Sequence, residues 1–288
     1  LAKKGQSEAL REGQIFDPLL QILNVEVDLS VLTSASGVLR YASGGETSLQ
    51  KHLITLGALP ALKNAWIRFT DDAIAYEPSA TTQGCTYLAT ALRNFSVSYS
   101  HHVAKLSIID TIFPQAMTRF SSHSDVISAL ARVLGKIAFD EECVDQLKRC
   151  YGLASSILFT ASAHASNRLI LSRLSLVVGH LLHDNDAILA ELEEIGADQI
   201  AELLAALTTA VDVTAENNEE TLINLARLIS NLCTSEAIGT AIANQPAVLD
   251  WVFGAVRPDI AKSEDLTLHA LMCISNVSYY LTEESASD

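Results

Sequence analysis

Apolar residues in this chain recur every three to four positions, and runs that alternate apolar with polar residues are few. This period is typical of amphipathic helices, so we expect an all-α protein. One short pattern, such as Leu92-Arg-Asn94-Phe-Ser96, recurs at the end of an apolar stretch. Its central residues are Tyr41, Asn94, Lys136, His180, Asn231 and Asn276.

The central residues are 53, 42, 44, 51 and 45 positions apart. Spacings in this range are typical of helical solenoid repeats. The two longest spacings contain polar stretches, 70–79 and 208–220, which we interpret as loop insertions between helices. The sequence thus predicts six repeats in a single domain over 1–288, with approximate bounds 7–46, 47–98, 99–140, 141–185, 186–235 and 236–282.

Each repeat is predicted to contain three helices, of which the third ends on the recurring pattern. Gly13, Gly57 and Gly196 fall between first and second helices, where a sharp corner favours a residue without Cβ. The third helices are predicted over about 29–43, 81–98, 125–139, 167–183, 219–233 and 264–281.

The second repeat carries the clearest motif. Gly57-Ala-Leu-Pro-Ala-Leu62, followed by Ala91-Leu-Arg-Asn94-Phe-Ser96, resembles an armadillo repeat. The resemblance extends over all six repeats and implies a right-handed α-solenoid whose third helices line a concave groove. Repeats three to six depart from the Gly-x-Leu-Pro corner, which leaves HEAT-like local geometry open there.

In several armadillo proteins an Asn on the third helix hydrogen-bonds the main chain of an extended peptide. Asn94, Asn231 and Asn276 match that position, whereas Tyr41, Lys136 and His180 replace it elsewhere. Nuclear-import receptors of the family also carry a Trp four residues earlier. The residues at that position are Gly37, Thr90, Arg132, Leu176, Arg227 and Met272, so binding of nuclear signals in that way is not expected.

Charge is distributed unevenly. The chain has 34 acidic and 19 basic residues and a formal net charge of −15, which disfavours general nucleic-acid binding. The third-helix interiors nevertheless hold six bases and no acid, where a uniform distribution predicts roughly ten acids. Helix-dipole preference is one explanation, and a basic groove for an acidic segment is the other. The predicted groove residues are Tyr41, Asn94, Arg132, Lys136, Arg173, His180, Arg227, Asn231 and Asn276.

Other chemistry is sparse. Five cysteines, an odd number, do not indicate a disulfide framework, which favours a cytoplasmic chain. No apolar run of about 18 residues predicts a membrane span. No catalytic or phosphate-binding motif occurs, so we predict no enzyme, cofactor or metal site. The sequence does not begin with Met, and we expect it to be a fragment of a longer protein.

The sequence therefore predicts a non-enzymatic scaffold or adaptor that binds a protein or peptide partner along its third helices. Two narrower alternatives stay open. The stretch 274–280 loosely resembles ciliary armadillo-repeat-containing proteins, which implies an adaptor for axonemal complexes in a cilium or flagellum. The other alternative is a solenoid that regulates a small GTPase. The oligomeric state is left open.

Overall fold

The structure is a computed structural model that describes residues 15–71, 78–104, 108–215, 218–257 and 263–281. Over these residues the regular elements are sixteen helices and no strand is present. The predicted all-α class is therefore confirmed. The chain divides into two compact units, Leu1–Gln146 and Leu147–Asp288, which we call unit 1 and unit 2.

Unit 1 begins, in its described part, with the second helix of the first repeat. The helix α8 extends across the boundary with unit 2. The helices are α1 Phe16–Val25, α2 Leu29–Ser43, α3 Thr47–Thr55, α4 Ala58–Thr70, α5 Pro78–Ala104, α6 Ile108–Arg119, α7 Ser124–Ala138 and α8 Glu141–Lys148.

Unit 2 continues the same order of a short first helix, a second helix and a longer third helix. Its helices are α9 Leu153–Ala163, α10 Arg168–Leu182, α11 Asp186–Ile195, α12 Ala197–Thr209, α13 Glu219–Leu232, α14 Glu236–Ala243, α15 Pro246–Ala255 and α16 Glu264–Ser278. The third helices of the six repeats are thus α2, α5, α7, α10, α13 and α16, and all except α5 lie close to their predicted bounds.

Helix α5 is longer than predicted because two helices join. Tyr99 has non-helical angles, φ −139° and ψ 39°, which mark a kink inside Pro78–Ala104. The segment after the kink takes the place of the first helix of repeat three. The kink lies next to the predicted repeat boundary at 98/99, which stays a prediction.

Side-chain caps fix the start of several third helices. The Asp28 carboxylate accepts hydrogen bonds from the backbone N–H groups of Ser30 (2.8 Å) and Val31 (3.1 Å) at the start of α2. Asn167 caps α10 and Ser263 caps α16 in the same way. These side chains satisfy N–H groups that have no partner within the helix, which explains where the helices begin.

Positive φ angles occur at corners between first and second helices. Gly57 (φ 93°) and Gly196 (φ 121°) hold the predicted corners of repeats two and five. Gly152 (φ 77°), which the sequence reasoning missed, holds that of repeat four. Each angle lies in the region that L-residues with a Cβ rarely adopt. Gly13 lies outside the described residues.

The core of each unit is mostly aliphatic, and unit 1 also buries aromatic rings such as Trp66 and Phe95. In five repeats the residue two positions before the central residue is fully buried, as the helical period requires. These five residues are Leu39, Leu92, Leu134, Val178 and Ile229. The equivalent Ile274 of the last repeat is only half-buried. Among the described helices none is long and apolar enough to cross a membrane.

Candidate functional site

Third helices of successive repeats pack side by side within each unit. In unit 1 α2 contacts α5 and α5 contacts α7, and in unit 2 α10 contacts α13 and α13 contacts α16. We call the predicted site residues Tyr41, Asn94, Arg132 and Lys136 the unit 1 row. We call Arg173, His180, Arg227, Asn231 and Asn276 the unit 2 row. Each row lies on adjacent helices.

The three predicted asparagines hydrogen-bond the preceding third helix. Asn94 Nδ2 donates to the Arg40 carbonyl oxygen (3.3 Å) and to the Ser43 hydroxyl oxygen (3.1 Å). Asn231 Nδ2 donates to the Gly179 carbonyl oxygen at 2.8 Å. These amides therefore brace neighbouring helices.

The third asparagine makes the same brace in the last repeat. Asn276 Nδ2 donates to the Ser230 carbonyl oxygen (2.9 Å) and hydroxyl oxygen (3.3 Å). All three side chains are half-buried. In Asn94 and Asn276 the two acceptors can use both amide N–H groups, and the Asn94 amide oxygen accepts a bond from Arg93 at 3.1 Å. An amide oxygen accepts two bonds, so this oxygen keeps capacity for a partner.

A second hydrogen-bonding asparagine, seven residues before Asn231, fixes the register of α13 against α10 in unit 2. Asn224 Nδ2 donates to the carbonyl oxygen (3.1 Å) and hydroxyl oxygen (3.0 Å) of Ser172. Asn224 precedes Asn231 by seven residues, and Ser172 precedes Gly179 by seven. Equal spacings on both helices show that α10 and α13 run parallel, which aligns the central residues of successive repeats.

The cations of the unit 1 row are solvent-exposed. Arg132 and Lys136 lie one helical turn apart on α7, on the same helix face, and both side chains are exposed. Among the residues that the structure describes, no carboxylate lies within ion-pair distance of either. Arg93 lies on α5, which packs against α7, and burial followed by the Arg132 charge lowers the pKa of Arg93.

Two tyrosine rings form an aromatic clamp on another cation of unit 1, the Arg40 guanidinium. The Arg40 guanidinium carbon lies 4.4 Å from the Tyr41 ring centroid and 4.3 Å from that of Tyr87. Cation–π contacts of this kind fix a guanidinium without neutralising its charge. Sequence reasoning missed Tyr87. It stands seven residues before Asn94, on the helix face that already contained Arg173 in unit 2.

An open groove of about 600 Å³ adjoins this clamp in unit 1. The residues that line it carry mostly polar side chains and include Tyr87, Gln83 and Thr86 of α5 with His123 and Asp125 at the start of α7. Gln83 donates to the Tyr87 hydroxyl at 2.8 Å, which orients that ring. The groove lies beside the exposed third-helix surface and is large enough to admit several side chains.

The arginine of α13 is engaged inside unit 2. Arg227 is half-buried, and its Nε lies 3.3 Å and its Nη2 3.1 Å from His269 Nε2 on α16. Burial and the Arg227 charge lower the pKa of His269, which keeps the ring neutral so that it can accept the hydrogen bond. The sequence reasoning placed Arg227 in a free basic stripe and missed His269 as its partner.

The other two basic residues of the unit 2 row are also half-buried. Burial, followed by the charges of Arg227, His183 and Lys148, lowers the pKa of His180. Arg173 stands seven residues before His180 on the same face of α10, and it too is half-buried. The predicted basic residues of unit 2 thus lie on adjacent helices. Their side chains are less accessible to solvent than those of Arg132 and Lys136.

Metal-binding side chains are not clustered in the described part of the chain. No group of three or more His, Cys, Asp and Glu side chains there could hold a metal ion. The five cysteines are all buried, and none forms a disulfide. Burial raises the pKa of the Cys233 thiol to about 12, which disfavours the reactive thiolate.

No protein-family model matches the chain, and comparison with curated protein sequences found no match. Solved structures do match. The designed armadillo repeat protein YIII(Dq)4CqI is similar at 17% identity and a TM-score of 0.59, over 91% of this chain and 99% of that one. The designed armadillo repeat protein YIII(Dq.V1)4CPAF in complex with peptide (KR)4 is also similar. Its sequence identity is 17% and its TM-score is 0.59, over 92% of this chain and 100% of that one.

A third match is a computationally designed armadillo repeat protein for modular peptide recognition, at 16% identity and a TM-score of 0.59, over 90% of this chain and 98% of that one. At such identities the likeness establishes the fold alone. The chain has the armadillo-repeat fold, an all-α solenoid of three-helix repeats, as the Gly57–Leu62 and Ala91–Ser96 motifs predicted.

Proposed function

We propose that this protein is a non-enzymatic binding scaffold that holds an extended acidic segment of a partner protein on the third helices of unit 1. The observation that carries the proposal is the exposed pair Arg132 and Lys136 on α7, with no carboxylate within ion-pair distance of the pair in the described residues. Exposed like charges that are left unpaired favour an anionic partner.

The fold supports the proposal because solenoid repeats present extended surfaces to elongated partners. One of the designed armadillo proteins of similar structure is in complex with the basic peptide (KR)4. In this chain the third-helix interiors contain bases and no acid, so we infer the opposite preference of charge. The Asn94 amide, held between α2 and α5, is the group for the partner's main chain.

Phosphate backbones are anionic as well, but the net charge of −15 opposes them over the long range. A short acidic peptide is less affected because its charges can all contact the unit 1 row. We therefore propose a protein partner and no nucleic acid. The ciliary-adaptor and GTPase-regulator alternatives, and the cytoplasmic location, remain predictions from the sequence that no contact described above favours.

The test uses the whole chain and two fluorescein-labelled octapeptides, (Asp-Glu)4 and (Lys-Arg)4, with binding followed by anisotropy. The double variant Arg132→Glu with Lys136→Glu is expected to weaken (Asp-Glu)4 binding by about tenfold or more, which is about 1.4 kcal/mol. Binding by the wild type should also weaken as salt is added, since the contacts are charged.

The matched control is Lys51→Glu with Arg149→Glu, which makes the same change of net charge at two exposed cations outside the rows. It should leave (Asp-Glu)4 binding within about twofold of the wild type. Equal losses in both double variants, or tighter binding of (Lys-Arg)4 than of (Asp-Glu)4, would contradict the proposal.

A further inference from the structure

Arg227 links the three third helices of unit 2. Its aliphatic stem packs on α10, where a Cβ added at Gly179 would lie 3.4 Å from the Arg227 Cγ and Cδ atoms. Its guanidinium reaches α16, where Nε lies 3.3 Å and Nη2 3.1 Å from His269 Nε2. The His269 ring therefore holds the charged end of this side chain inside unit 2.

The bond between these two side chains requires a neutral imidazole. A guanidinium has only N–H donors, so His269 Nε2 must be the acceptor and the ring proton must be on Nδ1. In the described structure this Nδ1 atom is buried and has no hydrogen-bond partner. A buried donor without an acceptor is unfavourable, so the neutral, bonded ring is stabilised less than a fully hydrogen-bonded one would be.

Protonation of His269 breaks this contact. A charged imidazole donates from both nitrogens and accepts from neither, so it cannot take the Arg227 hydrogen bond, and two cations would lie 3.1 Å apart. Burial and the Arg227 charge lower the pKa of His269. The contact is therefore complete at neutral pH and is lost as the pH falls from about 6.5 toward the lowered value.

Few charged groups act on the His269 ring. Helix α13 contributes Arg227, and α16 itself contributes Asp265, which raises the pKa. Helices α14 and α15 also pack against α16 and carry one charged residue each, Glu236 and Asp250. Neither contributes to the shift of this pKa in the described structure. The Arg227 guanidinium is thus the charge that opposes protonation of the ring.

We propose that protonation of His269 frees the Arg227 guanidinium and turns the third helices of unit 2 into a second surface for an acidic segment of a protein partner. Arg227 stands four residues before its central residue, as the exposed Arg132 of unit 1 does. A released Arg227 side chain therefore supplies in unit 2 the charge that Arg132 supplies in unit 1, and an anionic segment is the partner that neutralises it.

Other basic groups of unit 2 favour an anionic partner in the same pH interval. Lys148 donates to the His183 carbonyl oxygen at 2.9 Å, at the C-terminus of the helix that contains His180. Burial, followed by the charges of Arg227, His183 and Lys148, lowers the pKa of His180, while Asp184 lies 3.5 Å from His183. A bound carboxylate offsets the basic charges, so binding of the acidic segment and protonation of the rings favour each other.

The test is the binding of (Asp-Glu)4, labelled with a pH-insensitive rhodamine, to the whole chain. Every protein carries Arg132→Glu with Lys136→Glu as a background that removes the unit 1 surface. Between about pH 7.5 and about pH 5.5 the peptide stays anionic. Over that interval the affinity of the background protein should rise by about fivefold or more. Its affinity at neutral pH tests the unit 1 proposal, and only the acid-dependent rise tests this one.

Two substitutions of His269 should give opposite results in this background. His269→Gln keeps a side-chain acceptor for Arg227 and cannot be protonated, so the affinity should stay low at both pH values. His269→Leu removes the acceptor, so the peptide should bind near neutral pH as tightly as the background protein binds it in acid. Arg227→Met should abolish the acid-dependent rise.

His102→Gln is the matched control, because it removes an exposed imidazole from unit 1 and should leave the rise unchanged. The net charge becomes less negative in acid in every variant, so the differences between variants report on Arg227 and His269. Circular dichroism at both pH values checks that each variant is folded. No rise in the background protein, a rise retained by His269→Gln, or an equal rise in Arg227→Met would each overturn the proposal.

Nuclear magnetic resonance of the His269 imidazole C–H groups provides a second readout. Arg227→Met removes the charge that opposes protonation, so the pKa of His269 should rise toward its ordinary value. Addition of (Asp-Glu)4 to the background protein should raise it as well. A pKa of His269 that neither the substitution nor the peptide changes would show that the ring does not control Arg227, and would overturn the proposal.

Discussion

The unit 1 row and the unit 2 row place similar residues at the same register and use them differently. Arg132 and Arg227 both stand four residues before their central residue. Arg132 is exposed on α7, whereas Arg227 is half-buried and hydrogen-bonded to His269. The same residue type at the same position thus supplies a free charge in one unit and a structural contact in the other.

This difference follows from the neighbouring helix. Helix α16 follows α13 and places the acceptor His269 beside the Arg227 guanidinium, so this arginine makes a hydrogen bond inside the protein. Register alone therefore identifies the positions that line a surface, and the packing partner decides which of them remain available to another protein.

The largest effect should come from the buried brace of unit 2. Asn224→Ala removes the donor to the Ser172 carbonyl and hydroxyl oxygens in a buried setting. We expect a loss of about 2 kcal/mol in the free energy of unfolding, because buried acceptors are left unpaired. At the same register in unit 1, Tyr87→Phe removes an exposed hydrogen bond and should cost under about 0.5 kcal/mol.

Urea unfolding measures both variants, and each unit has its own reporter because Trp66 lies in unit 1 and Trp251 in unit 2. Labelling with 5-fluorotryptophan gives one ¹⁹F signal for each unit without a further substitution. The comparison between the two units fails if Tyr87→Phe destabilises the chain as much as Asn224→Ala does.

The two arginines provide the next test. Arg132→Met should weaken (Asp-Glu)4 binding by about fivefold, because an exposed charge that contacts the peptide is lost. Arg227→Met keeps a side chain of similar length and should change this binding by less than about twofold. Anisotropy with the labelled peptide measures the affinity of both variants. A greater loss of affinity in the Arg227 variant would place the binding surface in unit 2 and contradict the proposal.

A smaller effect is expected from pH. The pKa values of His180 and His269 are lowered in the folded chain, so the unfolded chain takes up protons first as the pH falls below about 6.5. Their contribution to stability is therefore complete above that pH and is lost as the pH decreases through it toward the folded-state values.

Comparing urea unfolding near pH 7.5 with unfolding near pH 5.5 measures this contribution, with the Trp251 signal as the reporter of unit 2. In the double variant His180→Gln with His269→Gln, the free energy of unfolding should change less between these two pH values than in the wild type. The carboxylates contribute equally in both proteins, so the difference reports on the two histidines. An identical pH dependence in the double variant would contradict the assigned pKa shifts.

The smallest effect is the stability change of Arg132→Met itself. Its side chain is exposed and has no carboxylate partner among the described residues, so the free energy of unfolding should change by less than about 0.5 kcal/mol. A thermal or urea transition measures it. A larger loss would mean that Arg132 stabilises the fold as Arg227 does, which would remove the contrast between the rows.

The sequence predicted much of the fold because its signals are local. Helical periodicity located all six third helices, and Gly57 and Gly196 located two corners that have positive φ. The bonds of Asn94, Asn231 and Asn276 to the preceding helix could not be predicted, since they depend on residues 46 to 54 positions away. The pairing of Arg227 with His269 was missed for the same reason.

The most direct test of the acidic-segment surface is zero-length cross-linking of (Asp-Glu)4 to the whole chain with a carbodiimide. The reaction joins a carboxylate to a lysine amine only where the two are in contact. We expect the cross-linked peptide to map to Lys136, and its yield to fall in the Arg132→Met variant and in the presence of added salt. Cross-links distributed over other exposed lysines such as Lys51, with Lys136 no more reactive than they are, would contradict the account.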